Sequence, residues 1–202
     1  MILLVDNFDS FTYNLQDYLR RKEHTVKTIR YDAFEIDDIN WDAVEGIVIS
    51  PGPYTPKHYP KHFDIFKRFI GKKPIFGVCL GFQSIGEFFG AQLVKAEKPM
   101  HGKVSEIEHN GMAMFNDIES PTEVTRYHSL ILEQLPNSLI PCAYTRKREL
   151  MAFCSSDQMI WGVQFHPEAV LTTFGVKMMS NWLKIVDDFK ADKLKTSQFN
   201  VI

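Results

Sequence analysis

The sequence predicts an α/β fold: an open, mainly parallel central sheet flanked by helices, with additional mixed or antiparallel strands in the second half. Three observations carry that prediction. The chain opens with a short apolar run, a segment of helical periodicity and another apolar run. A second cycle of the same kind follows and reaches the region of Gly90. Beyond Gly90 the runs shorten and are separated by turns rather than by helical segments.

In order, Ile2 to Val5 reads as a buried strand, and Phe11, Leu15, Tyr18 and Leu19 recur at helical spacing. Thr25 to Ile29 then completes a βαβ beginning. Ile47 to Ile49 starts the second cycle, which continues through a helix near Lys61 to Ile70 and a strand from Ile75 to Val78. A helix carrying Ile85, Phe88 and Phe89 follows. The shorter strands of the second half fall around Gln92 to Val94, Lys103 to Glu108, Glu123 to Arg126, Ile140 to Thr145, Met151 to Cys154 and Ile160 to Phe165. A last helix is expected from about Thr173 to Phe189, with Val176, Met179, Leu183 and Val186 at helical spacing. The sequence thus divides into one domain over residues 1–189 and a polar C-terminal tail over 190–202, expected to fray.

With 202 residues, 45% of them hydrophobic, the chain can bury the core of one domain. Its 23 basic and 25 acidic side chains leave a formal net charge of −2, which gives no broad attraction to nucleic acid or to anionic membranes. The longest apolar runs, such as Gly46 to Ile49 and Pro74 to Leu80, fall far short of the roughly 20 residues of a membrane span. Met1 to Val5 turns acidic at Asp6, without the basic start and small-residue cleavage site of a secretory signal, so cytoplasmic residence is expected. Cys79, Cys142 and Cys154 form an odd set without CxxC spacing, which suggests neither a disulfide framework nor a zinc site. His101, His109 and His128 are scattered, and no metal is assigned.

The strongest chemical signal is Pro74-Ile75-Phe76-Gly77-Val78-Cys79-Leu80-Gly81-Phe82-Gln83, an apolar strand ending at a glycine-flanked cysteine that opens a helix. Such a strand-to-helix turn exposes a nucleophile, the glycines allow close backbone approach, and a helix N-terminus favours a thiolate. Cys142 and Cys154 lack this setting and read as small core residues. A thiol nucleophile needs a base and a group to orient that base, and Val163-Gln164-Phe165-His166-Pro167-Glu168 supplies both at another strand end. Pro167 biases His166 toward extended backbone, so His166 and Glu168 project to similar sides and the carboxylate can hold the imidazole tautomer. Ser50-Pro51-Gly52-Pro53 follows Ile47 to Ile49 at the same end of the sheet. Because the two prolines have no N–H, Gly52 N–H and Leu80 N–H are the candidate oxyanion donors.

These three motifs, in this order and spacing, resemble those of the class I, or triad, glutamine amidotransferases. Asp6-Asn7-Phe8-Asp9-Ser10-Phe11-Thr12-Tyr13-Asn14, Met100-His101-Gly102-Lys103 and Arg126-Tyr127-His128-Ser129-Leu130 further resemble the chorismate-using branch. That branch comprises the small subunits of anthranilate synthase and aminodeoxychorismate synthase, and the match spans residues 1–188. The resemblance implies the flavodoxin-like fold of class I glutamine amidotransferases and a Cys79, His166 and Glu168 triad. It also implies an oxyanion hole of Gly52 and Leu80, with glutamine held by Gly52, Gln83, Ser129 and Leu130. It implies hydrolysis of L-glutamine through a cysteine thioester, without a cofactor, and transfer of ammonia to a larger chorismate-binding subunit in a heterodimer or higher assembly. The product is then anthranilate, for tryptophan, or aminodeoxychorismate, for para-aminobenzoate and folate.

Two departures stand out. Tyr54 occupies a position that is commonly glycine in this branch, where a positive φ would strain it, and Ala169 replaces a common serine. Tyr54 keeps open the alternative of a catalytically weak regulatory subunit. The other alternative is a stand-alone γ-glutamyl hydrolase or peptidase, against which the chorismate-branch segments weigh, and a histidine-biosynthesis amidotransferase should lack the Asp6 to Asn14 segment.

Overall fold

The computed structural model describes residues 1–21 and 23–199. Strands β1 (Ile2–Asp6), β2 (Val26–Arg30), β3 (Gly46–Ile49) and β4 (Ile75–Val78) alternate with helices α1 (Thr12–Arg20), α2 (Pro60–Phe69) and α3 (Leu80–Phe89). The second half adds β5 (Gln92–Lys95), β6 (Lys103–His109), β7 (Thr122–Arg126), β8 (Leu130–Glu133), β9 (Ile140–Thr145), β10 (Leu150–Ser155) and β11 (Ile160–Val163), and ends in α4 (Gly175–Phe199). One nine-stranded sheet runs in the order β2-β1-β3-β4-β11-β10-β9-β6-β7, and β5 pairs with β8 in a separate antiparallel ribbon. The β2, β1, β3, β4 and β11 half is parallel, while β10, β9, β6 and β7 continue it antiparallel.

The inner parallel strands β1, β3, β4 and β11 are covered on both faces, which is why they read as continuous apolar runs, whereas the edge strand β2 carries polar, part-exposed side chains. Ile2 and Leu4 of β1 pack with Leu15 and Leu19 of α1 and with Met178, Met179, Trp182 and Val186 of α4. Their neighbours Leu3 and Val5 point the other way, into a cluster with Ile65 and Phe66 of α2 and Phe82 and Ile85 of α3. A large apolar side chain fully buried in this way contributes about 2 kcal/mol, so the two clusters fix both helical layers on the sheet.

Two elements differ from the sequence prediction. β8 is an additional strand, and α4 continues through Phe199 rather than ending near Phe189, so the expected fraying tail is helical over its described part. Positions 200–202 lie outside the described residues. No helix among the described residues is long and apolar enough to cross a membrane.

The parallel strands deliver their carboxyl ends to one edge of the sheet. Chain order reverses there between β1 and β3, the switch point at which open α/β sheets form their crevices. The segments after β1, β3, β4 and β11 all emerge at that edge.

Candidate active site

Cys79 lies between β4 and α3 with φ 51° and ψ −96°, a conformation that L-residues avoid. Its backbone is held on both sides: Cys79 N–H donates to Val163 O at 2.8 Å, and Cys79 O accepts from Gln83 N–H at 3.0 Å. The glycines are a matter of space, as expected. A Cβ on Gly81 would overlap the backbone oxygen of Ile49, and one on Gly77 would overlap the backbone of Gly81. The helix and strand therefore meet more closely than any other residue permits.

His166 lies three residues beyond β11, where its N–H donates to Thr125 O at 2.9 Å. Its carbonyl accepts the Thr172 hydroxyl at 2.7 Å. A Cβ on Gly175 would strike Pro167 O, so α4 begins directly against the His166-Pro167-Glu168 turn. His166 Nδ1 and Glu168 Oε1 are 2.7 Å apart, and both side chains are buried. The two side chains do lie on one side, as expected from sequence, but a turn closed by Ala169 N–H on His166 O at 3.3 Å brings them together rather than strand-like alternation. With Nδ1 engaged by the carboxylate, Nε2 is buried and without a hydrogen-bond partner among the described residues.

Burial opposes charge on His166, but attraction to Glu168 and then to the Cys79 sulfur overcomes it, setting the pKa well above the ordinary histidine value. Tyr127 and Phe11 meet the imidazole edge-to-face, with ring centroids at 5.1 Å and 6.3 Å. Asp9 is half-buried close by. Burial pushes its carboxyl up, against the Phe11 N–H and the nearby His166 charge.

Gly52 abuts the start of α3. A Cβ there would come within 2.6 Å of Asn7 Cβ and 2.8 Å of Leu80 Cδ2. Among the described residues, neither the Gly52 N–H nor the Leu80 N–H has an acceptor within the protein. Two free N–H groups on adjacent turns, at the rim of the thiol, have the character of an oxyanion site. Tyr54 adopts φ 67° and is 75% exposed, with its ring against His58. The left-handed backbone that favours glycine is therefore present at this position with tyrosine in it.

Gln83 Nε2 donates to Gln164 Oε1 at 3.1 Å and lies 3.4 Å from Leu130 O, while Gln164 Nε2 approaches Cys79 Sγ at 3.7 Å. Gln83 and Leu130 are thereby joined to the thiol through Gln164. Ser129 is exposed next to Leu130, with its carbonyl taken by Ala96 N–H. Behind them, His128 accepts from Arg126 Nε through Nε2 and donates from Nδ1 to Leu130 O. Burial and the Arg126 charge push its pKa down to about 3. Cys142 and Cys154 are buried core thiols, as read from sequence, with sulfurs 3.3 Å apart across β9 and β10 and no disulfide.

Sequence reasoning gave no role to Gln164, His62 or Ser84. Asn7, Asp9 and Tyr127 entered only inside segments carried by resemblance, and Phe11 otherwise only as an apolar position of the first helix. For Gln164 and His62 the available signal was a polar side chain at an apolar position: Gln164 ends the apolar run from Ile160, and His62 shares the spacing of Ile65, Phe66 and Phe69.

Residues 3–186 match the family model described as glutamine amidotransferase class-I. The chain is 46% identical over 186 residues to the aminodeoxychorismate/anthranilate synthase component 2 of Bacillus subtilis, covering 91% of this chain and 96% of the relative. It is 42% identical over 191 residues to the anthranilate synthase component 2 of Pseudomonas aeruginosa, with 91% and 95% covered. Among solved structures, a Thermoplasma acidophilum protein assigned as a GMP synthase subunit superposes with a TM-score of 0.85 at 26% identity, over 95% of this chain and 96% of the other. The chain belongs to the class I glutamine amidotransferase family.

Proposed function

We propose that this chain is the glutaminase subunit of a chorismate-aminating synthase. It would hydrolyse L-glutamine at Cys79 and pass ammonia to a larger chorismate-binding subunit that makes anthranilate, aminodeoxychorismate or both. The observation that carries the reading is the convergence of three strand ends. Cys79 sits on its strained turn, the His166–Glu168 pair stands behind it, and two acceptor-free N–H groups flank it. Attack of the Cys79 thiolate on the δ-carbonyl carbon places negative charge on the amide oxygen, where Gly52 and Leu80 N–H groups receive it. His166 Nε2 protonates the departing nitrogen, and ammonia leaves as a γ-glutamyl thioester forms on the sulfur. The same nitrogen then takes a proton from water, whose oxygen attacks the thioester, and a second oxyanion collapses to glutamate and free thiol. Gln83, Ser129 and Leu130 would hold the amino-acid end of glutamine, a role supported by the links of Gln83 to Leu130 O and, through Gln164, to the thiol.

Support for a partner comes from the rim. Val170 and Leu171, directly beyond the base motif, are 89% and 61% exposed, unusual for large apolar side chains beside a site unless another surface covers them. A biosynthetic role with three free cysteines suits the cytoplasm.

Glutamine hydrolysis is measured with anthranilate synthase and aminodeoxychorismate synthase large subunits, each with and without chorismate, beside Cys79→Ala. Stimulation by one partner is expected to assign the pathway, and stimulation by both would indicate that the two synthases share this chain. Hydrolysis that survives in Cys79→Ala would refute the assignment.

A further inference from the structure

A chain of buried side chains links the two backbone segments that carry the acceptor-free N–H groups. Asn7, after β1, is fully buried against Gly52, with its N–H donating to Ser50 Oγ and its Nδ2 donating to Ser50 O, both at 2.9 Å. Ser50 Oγ in turn donates to Pro51 O at 2.7 Å, so the turn ahead of Gly52 is held at three points. Because the Asn7 amide spends its N–H on Ser50, its Oδ1 must accept, and the group 2.9 Å from it is His62 Nε2. His62 therefore carries its proton on Nε2, and its Nδ1 accepts the Ser84 hydroxyl at 3.0 Å. Ser84 lies one turn along α3 from Leu80. His62 itself is fully buried on α2, stacked on Tyr59 at 5.2 Å, and burial keeps it neutral, its pKa pushed down to about 3.

We infer that His62 is a positioning residue for glutamine hydrolysis: through Ser84 on one side and Asn7 on the other, it sets the separation of the Leu80 and Gly52 N–H groups. This rests on the reading of those groups as the oxyanion hole. The physical reason is that the two donors belong to different segments, α3 and the turn after β3, with no backbone hydrogen bond between Gly52 and Leu80. A neutral imidazole is suited to such a tie. It offers one donor and one acceptor on opposite sides of a rigid ring, so both neighbours are satisfied in a dry interior only at a fixed spacing. Misplacement of an oxyanion donor weakens transition-state stabilisation far more than substrate binding.

The test uses the full-length protein in complex with its larger synthase partner, with glutamine as substrate, comparing wild type with His62→Ala, His62→Gln and Ser84→Ala. Alkylation of Cys79 by iodoacetamide runs in parallel, because that displacement forms no oxyanion. His62→Ala is expected to lower kcat about 10-fold or more, with KM and alkylation rate changed less than about 3-fold. His62→Gln, which can still donate to Asn7, is expected to recover most of kcat, and Ser84→Ala to lose about 2- to 5-fold. Ser84→Ala deletes one hydroxyl and serves if His62→Ala does not fold. Folded variants that retain full kcat, or that lose alkylation in proportion to kcat, overturn the inference while leaving the glutaminase reading intact. A wild-type protein that hydrolyses no glutamine removes both.

Discussion

Glu168 decides what His166 can do. Its buried carboxylate is the largest attraction opposing the effect of burial on the imidazole, and its Oε2 has no hydrogen-bond partner among the described residues. Glu168→Gln preserves shape but removes that charge, so the pKa of His166 falls while the burial that disfavours imidazolium remains. Glutamine turnover should then drop by about 100-fold or more, as when the orienting carboxylate of other triads is neutralised. Histidine NMR of the same variant should show His166 titrating at lower pH; an unshifted titration with unaltered kcat would mean the pair is only structural. The Cys79, His166 and Glu168 trio was legible because each motif is contiguous and its spacing encodes the turn that presents it. The Ser84–His62–Asn7 tie was not, because its members come from three elements whose meeting depends on sheet order. Even so, a histidine on the apolar stripe of α2 marked one of them.

At the level of elements, backbone meets backbone where α3 crosses the ends of β3 and β4. Gly81→Ala would drive a methyl group into Ile49 O. Neither partner can swing aside, since Ile49 is fully buried in β3 and Gly81 is in the first turn of α3. A loss of about 2 kcal/mol or more is expected in urea unfolding, together with loss of glutaminase activity as the Cys79 turn opens. Unchanged stability would show that α3 is free to shift. The inner parallel strands were legible from composition because burial on both faces leaves no polar alternation to interpret. β8 was not, because Leu130–Glu133 directly follows the Tyr127-His128-Ser129 motif and pairs with β5, distant in sequence. The extension of α4 escaped notice because the apolar stripe ends near Phe189. Good helix formers and pairs such as Lys195–Asp192 at 3.2 Å continue the helix beyond it.

For the whole molecule, the buried histidines set opposing demands on pH. His62 and His128 are neutral in the fold, with pKa values near 3, while in an unfolded chain each takes a proton near pH 6.5. Between those limits the unfolded state binds more protons, so their contribution is complete above about pH 6.5 and is lost as pH falls toward 3. His166 has the opposite sign. Its folded pKa lies well above the unfolded value, so its stabilisation is complete below about pH 6.5 and declines as pH rises through the folded value. Acidification from pH 7 to pH 5 therefore draws on His62 and His128, at about 2 kcal/mol for each histidine by pH 5, while His166 returns only the small part of its stabilisation already lost between about pH 6.5 and pH 7. Against a typical domain stability of about 5–15 kcal/mol, that is a large fraction. Unfolding free energy from urea titrations at pH 7 and pH 5 should fall for the wild type. In His62→Gln, which has no proton to gain at that position, the fall should be smaller by about 2 kcal/mol. Equal falls in the two proteins would mean that position 62 takes up its proton without unfolding, and that the core around the Gly52 turn admits charge more readily than its burial implies.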